Sequence, residues 1–335
     1  MGNIAVNKLG GNFDPDVSKI SRDLSEDATA LLKRVFDDFD DSHQIVDMHS
    51  HMLGVGVGRL NSGCYVHRKM SPLSWNPYHR VKFKVMASAS GVDERAEDPD
   101  GQYVARLVEL VRYSVPPGCS PTPIQTDAEQ KEAEIAPRNI RHVLLAYDQT
   151  YNEDGSLDVD RTGLHTPNDY VWKLVQNYPD LFFMACSVHP YRKDALQELE
   201  KWSERNVVMV KWLPNSMGID PSNELCFPFY DKMKELNMIL LSHTGHEHSI
   251  DAGGLNQTLG NPLKLRPALD RGVRVIAAHC ATEGQNSDFD LLNPKVRRVS
   301  NTDLFLRLMD EERYEDLLFG DISAILAFKR VPEIH

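Results

Sequence analysis

The chain has 335 residues, 41% of them apolar and 26% charged, which is the composition of an ordinary globular protein. A formal net charge of −12 argues against non-specific nucleic-acid binding and against attraction to an anionic membrane surface, since both need a basic face. No run of about 18 apolar residues is present, so no membrane span is expected. The polar, glycine-rich stretch Met1 to Pro15 has no apolar signal core. Five widely spaced cysteines, Cys64, Cys119, Cys186, Cys226 and Cys280, form no Cys-x-x-Cys pair and read as reduced thiols of a cytoplasmic protein.

In chain order, Glu26 to Phe39 reads as a helix, with Leu31, Leu32, Val35 and Phe39 on one stripe. Residues 1–44 form an N-terminal extension with this first helix, and 45–335 a barrel-type domain. Ile45-Val-Asp47-Met-His49-Ser-His51 reads as a buried strand with a polar end. A long insertion follows at about 53–137. It reads as irregular apart from a helix over Gln102 to Tyr113, with an exposed stretch from Ser114 to Glu134. The glycines of Gly54-x-Gly56-x-Gly58 do not complete a dinucleotide-binding fingerprint, because Asn61 stands at the third glycine position.

Beyond the insertion, apolar runs alternate with amphipathic stretches. The runs begin at Val143, Leu181, Val207, Met238, Val273 and Leu317. Helices are expected around Ala195/Leu199/Trp202, around Phe229/Met233/Leu236, and over Asp303 to Asp316. Apolar strands separated by helices imply a parallel sheet with both faces covered, either open or closed into a barrel.

The polar residues at the strand ends favour the barrel. The first run ends in His49-x-His51. Later runs lead to His189, Lys211, His243, His279 and Asp321. Barrel strands bring their C-terminal ends to one face, where active sites are built. Strand side chains alternate, so His49 and His51 face the same side and both reach one cation. Imidazole and carboxylate suit a divalent metal, zinc first, with iron, manganese and cobalt also served by this set.

The string Asp47-Met-His49-Ser-His51, followed by Lys211, His243 and His279, resembles the amidohydrolase superfamily. Val210-Lys-Trp-Leu-Pro-Asn215, Ser242-His-Thr-Gly245, Ala278-His-Cys280 and Gly320-Asp-Ile-Ser-Ala324 are similar to strand ends of its amidohydrolase-related group (amidohydrolase family 2). The resemblance implies a TIM-like α/β barrel of the metal-dependent hydrolase type. It implies His49, His51 and His243 as metal ligands, and His279 as a ligand of a second metal or a partner of the nucleophilic water. Lys211 is then a carboxylated metal bridge, a substrate contact or a structural ion pair. His189 and Arg192 are expected to line the substrate site, with Arg192 suited to an anionic group.

The implied function is hydrolysis of an amide, ester or lactone-type small molecule. A non-oxidative decarboxylase of the same superfamily and an inactive truncated relic are the alternatives. Counting strands from Ile45 gives seven, which makes Asp321 a seventh-strand residue and leaves the barrel without its eighth strand and that strand's customary aspartate; the alternative is that one strand is uncounted and Asp321 is that base, and Asp321 joins His279 as a candidate catalytic residue. Open strand edges would suit a homo-oligomer.

Overall fold

The computed structural model describes residues 25–37, 45–93, 96–112, 140–292 and 298–325. The expected exposed stretch Ser114 to Glu134 and the segment beyond Ile325, on which the expectation of a missing eighth strand bears, lie outside the described residues.

Among the described residues, seven parallel strands follow one another around the molecule. They are β1 (Ile45–His51), β3 (Ile140–Leu145), β5 (Phe182–Ala185), β6 (Met209–Trp212), β7 (Ile239–His243), β8 (Arg274–Ala278) and β11 (Leu318–Gly320). β1, β3 and β5 pair in that order, and β6, β7, β8 and β11 pair in theirs. The parallel bridge Cys186–Val210 links the two groups. Each strand pairs with its predecessor in this series, the neighbour order that successive parallel βαβ units give. This is the α/β barrel arrangement, and Asp321 does follow the seventh strand. Among the described residues no backbone pairing joins β11 to β1.

The helices between the strands form the outer layer. They are α4 (Asn168–Asn177), α5 (Ala195–Ser203), α6 (Pro214–Met217), α7 (Phe227–Glu235), α8 (Arg266–Asp270) and α9 (Asn301–Met309). α1 (Glu26–Asp37) precedes the first strand. Alternation along each strand divides two cores. Val143, Leu145, Ala185, Met209, Leu241 and Ala278 fill the barrel interior. Leu144, Phe182, Met184, Val210, Trp212, Leu240, Val275 and Ala277 face the helices. Lys211 and His243 fall two residues beyond Met209 and Leu241, so they continue the inner rows toward the mouth.

β1 breaks the alternation. Asp47 pairs with His142 and Ser50 with Leu144, so two residues, Met48 and His49, stand opposite Val143 alone. This β-bulge shifts the phase of the strand by one residue. Val46 and Met48 pack on the inner core, yet His49 and His51 also face inward. Ser50 turns outward and bonds His142 Nδ1 at 2.9 Å.

The insertion after β1 is more ordered than its sequence suggests. β2 (Tyr65–Val66) pairs antiparallel with β4 (Leu164–His165). α2 (Pro77–Ala89) starts with Asn76 as its N-cap and proline in its first turn. α3 (Pro99–Arg112) is the expected helix, begun earlier. A short hairpin of β9 (Gln285–Ser287) and β10 (Arg298–Ser300) follows β8.

The Gly54–Gly58 loop wraps a carboxylate of its own chain. Asp100, only 2% exposed, accepts from Val55 N at 2.7 Å, Gly56 N at 3.1 Å and Ser62 Oγ at 2.6 Å. Gly56 has φ +77°, and a β-carbon there would strike the Cys64 carbonyl. Asp100→Ala leaves these donors unmatched and is expected to destabilise the fold by about 2–3 kcal/mol. Urea unfolding monitored by circular dichroism checks this, and an unchanged midpoint would show that the loop is held by other contacts.

Two element bounds and one apolar stripe differ from the sequence-based expectation. The run at Val207 becomes a strand only at Met209, because Asn206 adopts a left-handed turn (φ 61°) and Val208 faces solvent. The helix expected over Asp303 to Asp316 stops at Met309 and resumes as a single 3₁₀ turn, Glu312–Tyr314. In α1, Leu31 and Val35 of the expected apolar stripe are exposed.

Candidate metal centre at the barrel mouth

His49, His279 and Asp321 meet at the seam between the first and last strands. Their potential ligand atoms all lie within 4.8 Å of one another. His49 is inward because of the β1 bulge, and its ring centroid is 5.0 Å from His51 and 4.9 Å from His279. His243 packs edge-on against His279 at 5.2 Å. Four imidazoles thus form an arc, His51–His49–His279–His243, across the strand ends.

Hydrogen bonds fix the rings. His49 Nδ1–H donates to Asp321 Oδ2 at 2.5 Å, and its Nε2 accepts from Lys211 Nζ at 3.2 Å. His279 Nδ1–H donates to the Ser323 carbonyl at 2.7 Å, which assigns any ligation by His279 to Nε2. Asp321 Oδ1 in turn accepts from Ser323 N at 2.7 Å and from the Ser323 hydroxyl. Carboxylates and carbonyls that orient imidazoles in this way tune metal-binding histidines.

Three consecutive non-glycine residues, His279, Cys280 and Ala281, have φ of 61°, 48° and 54°. Such left-handed backbone is costly for residues with a β-carbon, about 1–3 kcal/mol each, and clusters at functional sites. Thr282 N and Oγ1 both return to the His279 carbonyl, at 2.9 and 2.7 Å, and close the turn. Cys280 is half-buried here, with its Sγ 3.3 Å from the Asp321 carbonyl. Cys64, Cys186 and Cys226 are buried free thiols.

The electrostatics favour neutral imidazoles beside an ionised carboxylate. Burial, then the Lys211 charge, lowers the His49 pKa, against the pull of Asp321. His51 opens to solvent at the mouth, yet surrounding protein atoms and then Lys211, His49 and His279 hold its pKa well below the usual value. Burial pushes the Asp321 carboxyl up. The hydrogen bond and charge of His49, with the bonds from Ser323, outweigh that and hold it well below the usual carboxylate range. Lys211 is buried, which brings its pKa down to about 8 against the opposing pull of Asp321 and Glu247.

His189 and Arg192 are drawn into a different group. The His189 ring is fully buried, with Nδ1 accepting from Tyr191 N at 3.2 Å and Nε2–H donating to the Met217 carbonyl at 3.0 Å. Burial lowers its pKa to about 3. Arg192 is clamped between Asp148 at 3.1 Å and Asp194 at 2.7 Å. Asp148 Oδ2 also accepts from His189 N at 2.8 Å. These bonds occupy both His189 nitrogens and pair the guanidinium with two carboxylates.

Residues that the sequence reading did not single out complete the mouth. Ser323 was hidden because its role depends on β11 lying against β1. Glu247, buried, places Oε2 3.7 Å from His243 Nε2. The pattern His243-x-x-x-Glu247 was its one visible signal.

A likeness in fold was found with an uncharacterized TIM-barrel protein, Bb4693 from Bordetella bronchiseptica. The identity is 14%, covering 84% of this chain and 75% of that one, with a TM-score of 0.46. No match was found among curated proteins. A family model described as Amidohydrolase matches residues 46–289, from β1 through β9, and so takes in His49, His51, Lys211, His243 and His279. The chain belongs to this amidohydrolase family.

Proposed function

We propose that the protein is a metal-dependent hydrolase acting on an amide, ester or lactone-type small molecule. The convergence of His49, His279 and Asp321 within 4.8 Å is the observation that carries this reading. The donor set fits a divalent cation, since neutral imidazoles and an ionised carboxylate are its usual ligands.

His49, His51 and His243 would hold the ion, with His279 Nε2 and Asp321 beside it. Zinc matches these ligands best. A divalent cation there lowers the pKa of water and polarises a carbonyl. Asp321, kept ionised, accepts a proton at its carboxylate and passes it toward the leaving group. His279, fixed through Nδ1, orients the attacking water. Lys211 donates a hydrogen bond to a substrate oxygen on which negative charge develops. His189 and Arg192 serve this scheme indirectly, by holding Asp148 and the loop after β5.

The test uses purified full-length protein. Metal analysis should find a divalent ion in the wild type and a loss of at least about tenfold in affinity when His49 or His279 is replaced by alanine. Turnover of a panel of lactones, amides and aromatic carboxylates should depend on that ion. A wild type that neither retains nor responds to divalent metals would overturn the reading. Release of CO₂ from the aromatic carboxylates, without hydrolysis of the others, would move the assignment to a decarboxylase.

A further inference from the structure

The bulge in β1 is held by side chains that the chemistry above does not use. In a regular strand, residues three apart point to opposite faces. Across the bulge, Asp47 and Ser50 instead meet the same side chain, His142 of β3. Ser50 Oγ lies 2.9 Å from His142 Nδ1, and Asp47 Oδ2 lies 3.5 Å from the same nitrogen. His142 is also the ladder partner of Asp47, so its ring bridges the two ends of the bulged stretch. The other Asp47 oxygen, Oδ1, accepts from the His49 N–H at 2.8 Å.

These contacts enclose only the bulge. Beyond it the chain is held separately. The Tyr103 hydroxyl of α3 donates to the His51 carbonyl at 2.7 Å, and Thr166 Oγ1 donates to the Met52 carbonyl at 2.9 Å. The three side chains are not a nucleophilic triad. Such a triad sets the acid and the hydroxyl on opposite nitrogens of the imidazole, whereas here both meet Nδ1. A bulge disrupts the ladder locally and re-aims a side chain. In β1 that side chain is His49, whose ring reaches Asp321 and Lys211 from the inner face.

We propose that Asp47, His142 and Ser50 clamp the β1 bulge and so position His49 for the metal. They are positioning residues, which act through the main chain of β1. Without the clamp the strand is free to return to plain alternation, and a change of phase by one residue turns a side chain to the opposite face. The proposal deepens the hydrolase reading and rests on it only for what His49 binds.

The test uses the full chain carrying isotope-labelled histidine, first without added metal. The His49 ring-nitrogen signals, assigned by their loss in His49→Gln, report its bond to Asp321. Asp321→Ala supplies the reference for a ring without that partner. Asp47→Ala should move the His49 signals toward this reference while circular dichroism shows a folded protein, because the Asp47 side chain is half-exposed. Asp47→Asn keeps an acceptor for the His49 N–H and should restore them. Zinc affinity, measured by titration, should fall about tenfold in Asp47→Ala and by less than about threefold in Asp47→Asn.

Unmoved His49 signals in Asp47→Ala would overturn the proposal. So would equal losses in the alanine and asparagine variants, or moved signals with unchanged zinc affinity. If Asp47→Ala does not fold, His142→Phe takes its place, since it removes the shared nitrogen and keeps a ring of similar volume, and it is read by the same signals. A wild type that binds no zinc would defeat the hydrolase reading, and the His49 signals would still judge the clamp by themselves.

Discussion

Asp321→Asn is expected to lower kcat by about 10²–10⁴-fold, the usual contribution of a positioned proton-transfer group. The substitution is nearly isosteric. The amide oxygen of the variant can still accept from His49 Nδ1–H, a bond that holds the ring at 2.5 Å in the native protein. What is lost is the negative charge, the ability to take up a proton and the acceptor that Ser323 N–H meets in the native protein. KM should change far less than kcat, because the residue meets the reacting centre and not the body of the substrate. Steady-state kinetics on any panel member that the wild type turns over will read the split. A kcat within about threefold of the wild type would remove Asp321 from the reaction and leave it as a partner of His49 alone.

Trp212→Ala is expected to destabilise the fold by about 3–5 kcal/mol, the range for emptying the site of a buried large aromatic. Trp212 is wholly buried on the helix-facing side of β6, next to Lys211. Its ring lies 5.2 Å from Phe229 and 5.8 Å from Tyr230 of α7, and its Nε1–H donates to the Val188 carbonyl at 2.8 Å. Truncation opens a cavity between strand and helix and strands a buried carbonyl. Trp212→Phe keeps most of the volume and should lose much less. Equilibrium denaturation of both variants checks the ordering, and a loss under about 1 kcal/mol for the alanine variant would contradict the packing described.

The barrel was legible because its signals are local. Apolar runs such as Leu181 to Cys186 and polar residues just past them, His243 and His279 among them, needed no long-range knowledge. α2 was missed, although Asn76-Pro77 is a cap followed by a first-turn proline, because the helix that follows has no strong apolar stripe to confirm it. The β1 bulge was invisible, since an extra residue in one strand shows only against its partner. The His-x-His spacing still placed both rings on one side because the extra residue lies at Met48–His49 and ordinary alternation runs from His49 to His51.

The pairing of Asp321 with His49 spans 272 positions in the chain. It was hidden by the strand count itself, which set Asp321 on the seventh strand and so away from the aspartate's customary place. The carboxylate nonetheless stands beside the first strand's histidine. Glu247 looked ordinary because a glutamate in a loop usually is, and only its anchoring by two main-chain amides distinguishes it.

The left-handed turn at His279 has a consequence for the order in which the molecule is made. Its imidazole is tied to Ser323, forty-four positions later. A ribosome therefore releases all seven staves described above, and every histidine of the centre, before the clasp that orients His279 exists. Until residues 321–323 emerge, nothing from that clasp opposes relaxation of the turn to ordinary backbone. The centre thus matures well after its imidazoles have been synthesised, and a nascent chain stalled short of that point would carry all four of them without the grip that aligns them.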